Sequence, residues 1–161
     1  MTLTVLVQNL DDETPHTEDF QRWVSHALVN VPDKIPSSVN EVTIRIVDEK
    51  ESAYLNEEFR KKSGPTNILS FYYDPMPGFE HESLGDLAIC KKKVMAEAQA
   101  AKIPTAAHWA HLTVHGILHL LGYDHEKNEE AEIMENLEIT ILHKLGFENP
   151  YADAGQGKIH D

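Results

Sequence analysis

The chain's apolar pattern predicts an α+β (mixed α/β) domain: a small mixed sheet of about four strands packed with about five helices, with a buried histidine-bearing helix at its centre. Three observations lead there. Residues 3–8 and Val42, Ile44 and Ile46 alternate at the two-residue period of strands, and residues 67–73 and 84–90 read as two more strands. Between these runs, and through the C-terminal half, apolar residues recur at helical spacing. Residues 105–121 are apolar on nearly every side except for one stripe of histidine, the pattern of a helix enclosed by protein. Helices and a small sheet around one core follow from this mixture.

Taken in order, residues 3–8 alternate weakly and are expected as a first strand. After Thr17, the residues Phe20, Trp23, Val24, Ala27, Leu28 and Val31 repeat on one helical face. Val42, Ile44 and Ile46 alternate as a second strand. Asp48 with Glu51 then resembles a capping box opening a helix that leads to Arg60. Residues 67–73 and 84–90 are two further expected strands, joined through an Asp-Pro-Met-Pro-Gly loop too long for a tight hairpin and placed as a border of the cleft. Helices are expected at about 91–101, at 105–121 and at 129–145, the last with Ile133, Leu137 and Ile141 on its packed side; Pro104 separates the first two. Residues 1–146 make one domain, and residues 147–161, without a periodic apolar pattern, are expected as a flexible C-terminal tail.

A chain of 161 residues with 41% apolar content is long enough for one core without covalent staples. The single cysteine, Cys90, permits no internal disulfide, which suits a reducing compartment, and it closes an apolar strand pattern as a small core residue. No apolar run approaches the roughly 18 residues of a membrane span, and the N-terminus lacks the basic start of a signal peptide. The expected location is cytoplasmic, with no membrane partner.

Function is read from His115-Gly-Ile-Leu-His119-Leu-Leu-Gly122-Tyr-Asp-His125. His115 and His119 lie four apart, so on a helix they share a face one turn apart. Gly122 can adopt the left-handed conformation that ends a helix and return His125 toward the other two. Three neutral imidazoles with a fourth position open describe a catalytic zinc site, although another first-row divalent ion would fit the same set. Five of the ten histidines lie between 108 and 125, and His108, His111, His115 and His119 fall on one stripe at about 100° per residue. His108 and His111 are expected as hydrogen-bonded packing or pocket residues, since three ligands are complete without them. The zinc-peptidase pattern requires a glutamate base directly after the first histidine; here that position is Gly116, so a metallopeptidase or other metallohydrolase is the second reading. Asp124 and Glu126 flank the third histidine. Asp124 can fix the turn or orient a ligand imidazole from behind.

The run from His111-Leu-Thr-Val-His115 through Gly122-Tyr-Asp-His125 resembles the signature of the YbeY family of bacterial endoribonucleases and rRNA maturation factors. Leu55-Asn56 with Arg60-Lys-Lys-Ser-Gly-Pro65-Thr66-Asn67-Ile-Leu-Ser70-Phe71 is similar to the family's second block, and Leu84-Gly85-Asp86-Leu-Ala-Ile to its third. Ser63 departs from the acidic residue frequent there. The resemblance implies a zinc-dependent endoribonuclease specific for single-stranded RNA, acting in maturation of the small-subunit (16S) rRNA 3′ end and in ribosome quality control, with small-subunit components as partners. It implies His115, His119 and His125 as metal ligands, His115 and Arg60 as catalytic, and Ser70, Asp86, His111 and Asp124 as pocket residues. A third reading is a ribosome-assembly binding factor whose metal holds the fold.

Arg60 follows a short helix and precedes a Pro-Thr-Asn loop. A guanidinium there presents paired donors that match the charge developing on a phosphodiester. The formal net charge of −13, from 14 basic and 27 acidic residues, removes long-range attraction for RNA. Acidic residues concentrate at Asp11-Asp12-Glu13, at Glu18-Asp19 and along Glu126 to Glu138. Two basic runs, Arg60-Lys61-Lys62 and Lys91-Lys92-Lys93, are expected to supply a local basic face, with Lys61 and Lys62 binding substrate. Whether water or the ribose 2′-hydroxyl is the nucleophile stays open.

Overall fold

In the computed structural model, which describes residues 3–72 and 81–152, four strands form one sheet in the order β1-β2-β4-β3. β1 (Thr4–Gln8), β2 (Glu41–Val47) and β4 (Ser83–Cys90) are parallel, and β3 (Ile68–Phe71) pairs antiparallel with β4 at the edge. The helices are α1 (Thr17–Val29), α2 (Glu49–Arg60), α3 (Lys91–Ala101), α4 (Thr105–Leu120) and α5 (Asn128–Lys144). The fold is the α+β arrangement that the pattern predicts. The Asp-Pro-Met-Pro-Gly loop lies outside the described residues.

Side-chain alternation divides the sheet into two unequal faces. Val5, Ile44, Leu87, Ile89 and Ile68 join the main core with Phe20, Trp23 and Trp109 from α1 and α4. The opposite face carries Val47, Leu69, Ala88 and Cys90, covered in part by Leu55 of α2. The C-terminal half of β4 is therefore buried on both sides, which is why residues 87–90 read as an apolar run rather than an alternation. Asp48 caps α2 by accepting the Glu51 backbone N–H at 2.7 Å. The Glu51 carboxylate pairs with Arg45 instead of completing the reciprocal box.

α4 is the central helix, packed against α1, α3, α5 and the sheet. It approaches the sheet closely because residue 116 has no side chain: a Cβ there would stand 2.7–2.9 Å from methyl groups of Leu87 and Ile68. α5 buries Met134, Glu138, Ile141 and Leu142, while Ile133 is 56% exposed. The packed stripe is thus rotated by about one residue from the expected one, since contact with α4 outweighs the local apolar count. Phe147 packs on the main core and the Tyr151 hydroxyl reaches Glu138 at 2.8 Å, so residues 147–152 are held against the body at two points.

Candidate metal centre

Helix geometry places the first two histidines of the motif and a glycine turn delivers the third. His115 and His119 sit one turn apart on the last two turns of α4, with ring centroids 4.6 Å apart. The helix ends where the Gly122 N–H binds the His119 carbonyl and the Tyr123 N–H binds the Leu118 carbonyl, both at 3.0 Å. Gly122 has φ +99, a conformation open to glycine at little cost. The reversed chain brings the His125 ring to 5.1 Å from His119 and 5.6 Å from His115. One ring nitrogen from each of the three lies within 4.8 Å of the others. Tetrahedral ligands on one zinc ion stand about 3.3–3.4 Å apart, so small ring rotations close the set.

Hydrogen bonds settle which nitrogen faces the centre. His119 Nδ1–H donates to the Tyr123 carbonyl at 3.0 Å, leaving the Nε2 lone pair as the metal-binding atom. His115 Nδ1 lies 3.2 Å from the Glu138 carboxylate and donates to it, so its lone pair also resides on Nε2. That Nε2 is buried with no hydrogen-bond partner among the described residues. A buried lone pair without a donor costs about 1–3 kcal/mol, and a cation removes that cost. The donor set therefore fits a borderline metal ion such as zinc.

Glu138 is the residue that sequence reasoning missed. It closes the acidic run from Glu126 to Glu138, yet it has no exposed surface. Its carboxylate accepts from His111 Nε2 at 2.5 Å, from Tyr151 Oη at 2.8 Å and from His115 Nδ1. Burial alone would push the carboxyl up, but donation from His111 and His115 outweighs it and holds the group down at about 2. Burial pushes the His111 imidazole below its usual range against the pull of Glu138, and burial beside Glu138 raises the Tyr151 phenol. The one available sequence signal was position, since Glu138 falls on the Met134–Ile141–Leu142 stripe.

The other expected residues are distributed as follows. His108 pairs with Glu97 at 2.8 Å and His111 with Glu138, so both imidazoles meet carboxylates outside the triad. Asp124 Oδ1 accepts the His125 backbone N–H at 2.7 Å, which fixes the turn. Asp124 also lines a cavity of about 180 Å³ with Tyr72, His119 and Tyr123. Arg60 ends α2, donates to the Ser70 carbonyl at 2.5 Å and lies 5.3 Å over the Phe71 ring, at the strand edge just before Tyr72. Ser70 is buried in β3 and Asp86 stands opposite Phe71 in β4; Asp86 is not among the groups gathered at the triad. The loop carrying Lys61 and Lys62 is held by two buried residues of α2, Ser52 on Thr66 and Asn56 on the Gly64 carbonyl.

Two lysines of the second basic run are paired with carboxylates. Lys91 is bound by Asp11 at 2.6 Å and Glu13 at 2.9 Å, and Lys92 lies 3.4 Å from Glu49. Lys91 and Lys92 line a cavity of about 800 Å³ at the C-terminal ends of β1, β2 and β4, and no histidine of the triad lines it. The acidic N-terminal run thus pairs with Lys91, and Glu49 of α2 with Lys92. The peptidase reading is opposed by the packing at Gly116, where a glutamate side chain would enter the sheet core.

An α+β domain with three histidines able to hold a metal ion, two on its buried helix and one on the turn that follows, is the class that fold and site define. The chain belongs to the Endoribonuclease YbeY family, whose model matches residues 6–146. It is 54% identical over 143 residues to proteins named Endoribonuclease YbeY from Coxiella burnetii strains Dugway 5J108-111 and RSA 493 / Nine Mile phase I, covering 88% of this chain and 92% of each relative. The solution structure of TM1509 from Thermotoga maritima shares the fold, with a TM-score of 0.57 at 24% identity over 96% of this chain and 99% of that one. No helix among the described residues is long and apolar enough to cross a membrane.

Proposed function

We propose that this protein is a zinc-dependent endoribonuclease that cleaves single-stranded RNA during maturation of the small-subunit rRNA, working with components of that subunit. The observation that carries the reading is the buried, undonated Nε2 of His115, turned toward His119 and His125 in a chain whose relatives are named endoribonucleases. His115, His119 and His125 would hold the ion. When bound, it supplies a Lewis acid and lowers the pKa of a water molecule toward about 7. Because all three ligands are neutral, the site keeps the full charge of the ion for a phosphodiester oxygen.

Arg60 would bind the non-bridging phosphate oxygens. Its contacts with the Ser70 carbonyl and the Phe71 ring orient the guanidinium and leave other N–H donors for substrate. Lys61 and Lys62, exposed on the adjoining loop, would bind the flanking backbone. The test is cleavage of a single-stranded rRNA fragment by metal-loaded and chelated protein. Cleavage that is lost on chelation and restored by zinc is expected; cleavage equally fast after complete metal removal would overturn the reading. A substrate with a 2′-deoxy sugar at the cut site separates the routes, since only attack by the ribose hydroxyl requires that group.

A further inference from the structure

We infer that Glu138 is a positioning residue for the metal centre, and that its buried carboxylate, held by His111 and Tyr151, fixes the His115 tautomer required for ligation. The inference rests on the metal reading above and concerns a residue outside the ligand set. His115 has two ring nitrogens, and it can ligate through Nε2 only if the proton is on Nδ1. Nothing in the α4 backbone enforces that choice. The Glu138 carboxylate does, because an ionised carboxylate only accepts and it faces Nδ1 at 3.2 Å. Metal-ligating imidazoles are ordinarily held this way by a carboxylate or carbonyl, and removing such a partner weakens metal binding by about 10–100-fold.

The geometry around the carboxylate is asymmetric. Among the described residues, Oε1 receives two donors, His111 Nε2 and the Tyr151 hydroxyl, whereas Oε2 receives one, His115 Nδ1. His111 is 2% exposed and Glu138 is fully enclosed, so both groups lie away from bulk water. Tyr151 is contributed from beyond α5, after the Gly146 turn, and its hydroxyl also lies 3.2 Å from His111 Nε2. The segment after α5 is therefore part of the support of the metal centre rather than a bystander.

This asymmetry predicts the outcome of an isosteric substitution. In Glu138→Gln, the amide oxygen will occupy the Oε1 side, where two donors wait, and the amide N–H₂ will face His115 Nδ1. A donor there favours the His115 tautomer with its proton on Nε2, which is unable to ligate. The experiment measures zinc affinity by competition with a chromophoric chelator, and the His115 tautomer by ¹⁵N chemical shifts in the metal-free protein. Circular dichroism reports folding. For Glu138→Gln we expect a folded protein, affinity reduced about 10–100-fold and the Nδ1-protonated form of His115 lost. Tyr151→Phe, which removes one donor from Oε1 and leaves His115 facing the carboxylate, should reduce affinity less and keep the tautomer. A folded Glu138→Gln protein with wild-type affinity and unchanged tautomer would overturn the inference. If Glu138→Gln does not fold, Tyr151→Phe and Glu138→Asp decide: wild-type affinity in both would overturn it. Failure of the wild-type protein itself to bind zinc would instead sink the metal reading.

Discussion

Two halves of one histidine stripe on α4 have opposite fates. At the N-terminal end, His108 and His111 are each paired with a carboxylate, Glu97 and Glu138. At the C-terminal end, His115 and His119 use Nδ1 for the Glu138 carboxylate and the Tyr123 carbonyl and turn Nε2 toward His125. The residue type and the spacing are the same; the partners differ. Histidine on a buried helix becomes structural where a carboxylate from a neighbouring helix meets its outer nitrogen. It is placed to hold a metal ion where a backbone or carboxylate acceptor holds the inner nitrogen and a third imidazole shares the space beyond.

The sharpest way to break this contrast is to delete one histidine from each half. His119→Ala should abolish zinc retention and reduce RNA cleavage by at least about 10²–10³-fold, the scale of losing a principal electrostatic stabiliser. His108→Ala should retain zinc and cleavage and lose about 1–3 kcal/mol of stability, since it strips a hydrogen bond from the part-buried Glu97. Elemental analysis, a cleavage assay and thermal unfolding of both variants check this. Equal metal loss in the two would erase the distinction.

Next in size is Arg60→Ala, which should lower cleavage by about 10²–10³-fold with metal content unchanged, because its contacts are with Ser70 and Phe71 and not with the triad. Unchanged cleavage would remove Arg60 from the mechanism. Acid stability gives a smaller effect with a definite sign. The Glu138 carboxyl is held at about 2 in the folded protein, against an ordinary value of 4.5. The stability it contributes is fully present above the ordinary value and is lost as pH falls from about 4.5 toward about 2. The melting temperature of metal-free wild type should therefore fall more steeply over that window than that of Glu138→Gln.

The smallest effects compare the two basic runs. Neutralising Lys61 and Lys62 should flatten the salt dependence of RNA binding, whereas Lys91→Ala should leave it unchanged because Asp11 and Glu13 already cancel that charge. Binding titrations at several salt concentrations separate the two. An equal change from both would mean that Lys91 meets RNA despite its pairing.

What could be read from the sequence was local. Helix period, a glycine stop and three histidines within eleven residues are contiguous signals, and they located α4 and the convergence at its end. The strands of the sheet followed from alternation in β2 and from the short apolar runs of β3 and β4. What escaped depends on distant partners. Glu138 is 23 residues from His115, and its burial comes from packing of α5 on α4 rather than from its own neighbours. The exposed Ile133 and the packed Phe147 were misplaced for the same reason: a helix face is chosen by what lies against it. The pairing of Lys91 with Asp11 spans 80 residues, so a charge run could not reveal its own neutralisation.

X-ray absorption spectroscopy of the zinc-loaded protein tests the central claim most directly. The expected spectrum has three imidazole nitrogens at about 2.0–2.1 Å and one oxygen donor, with one imidazole lost in His125→Ala. A shell with fewer than three imidazoles, or one that His125→Ala leaves intact, would contradict the account.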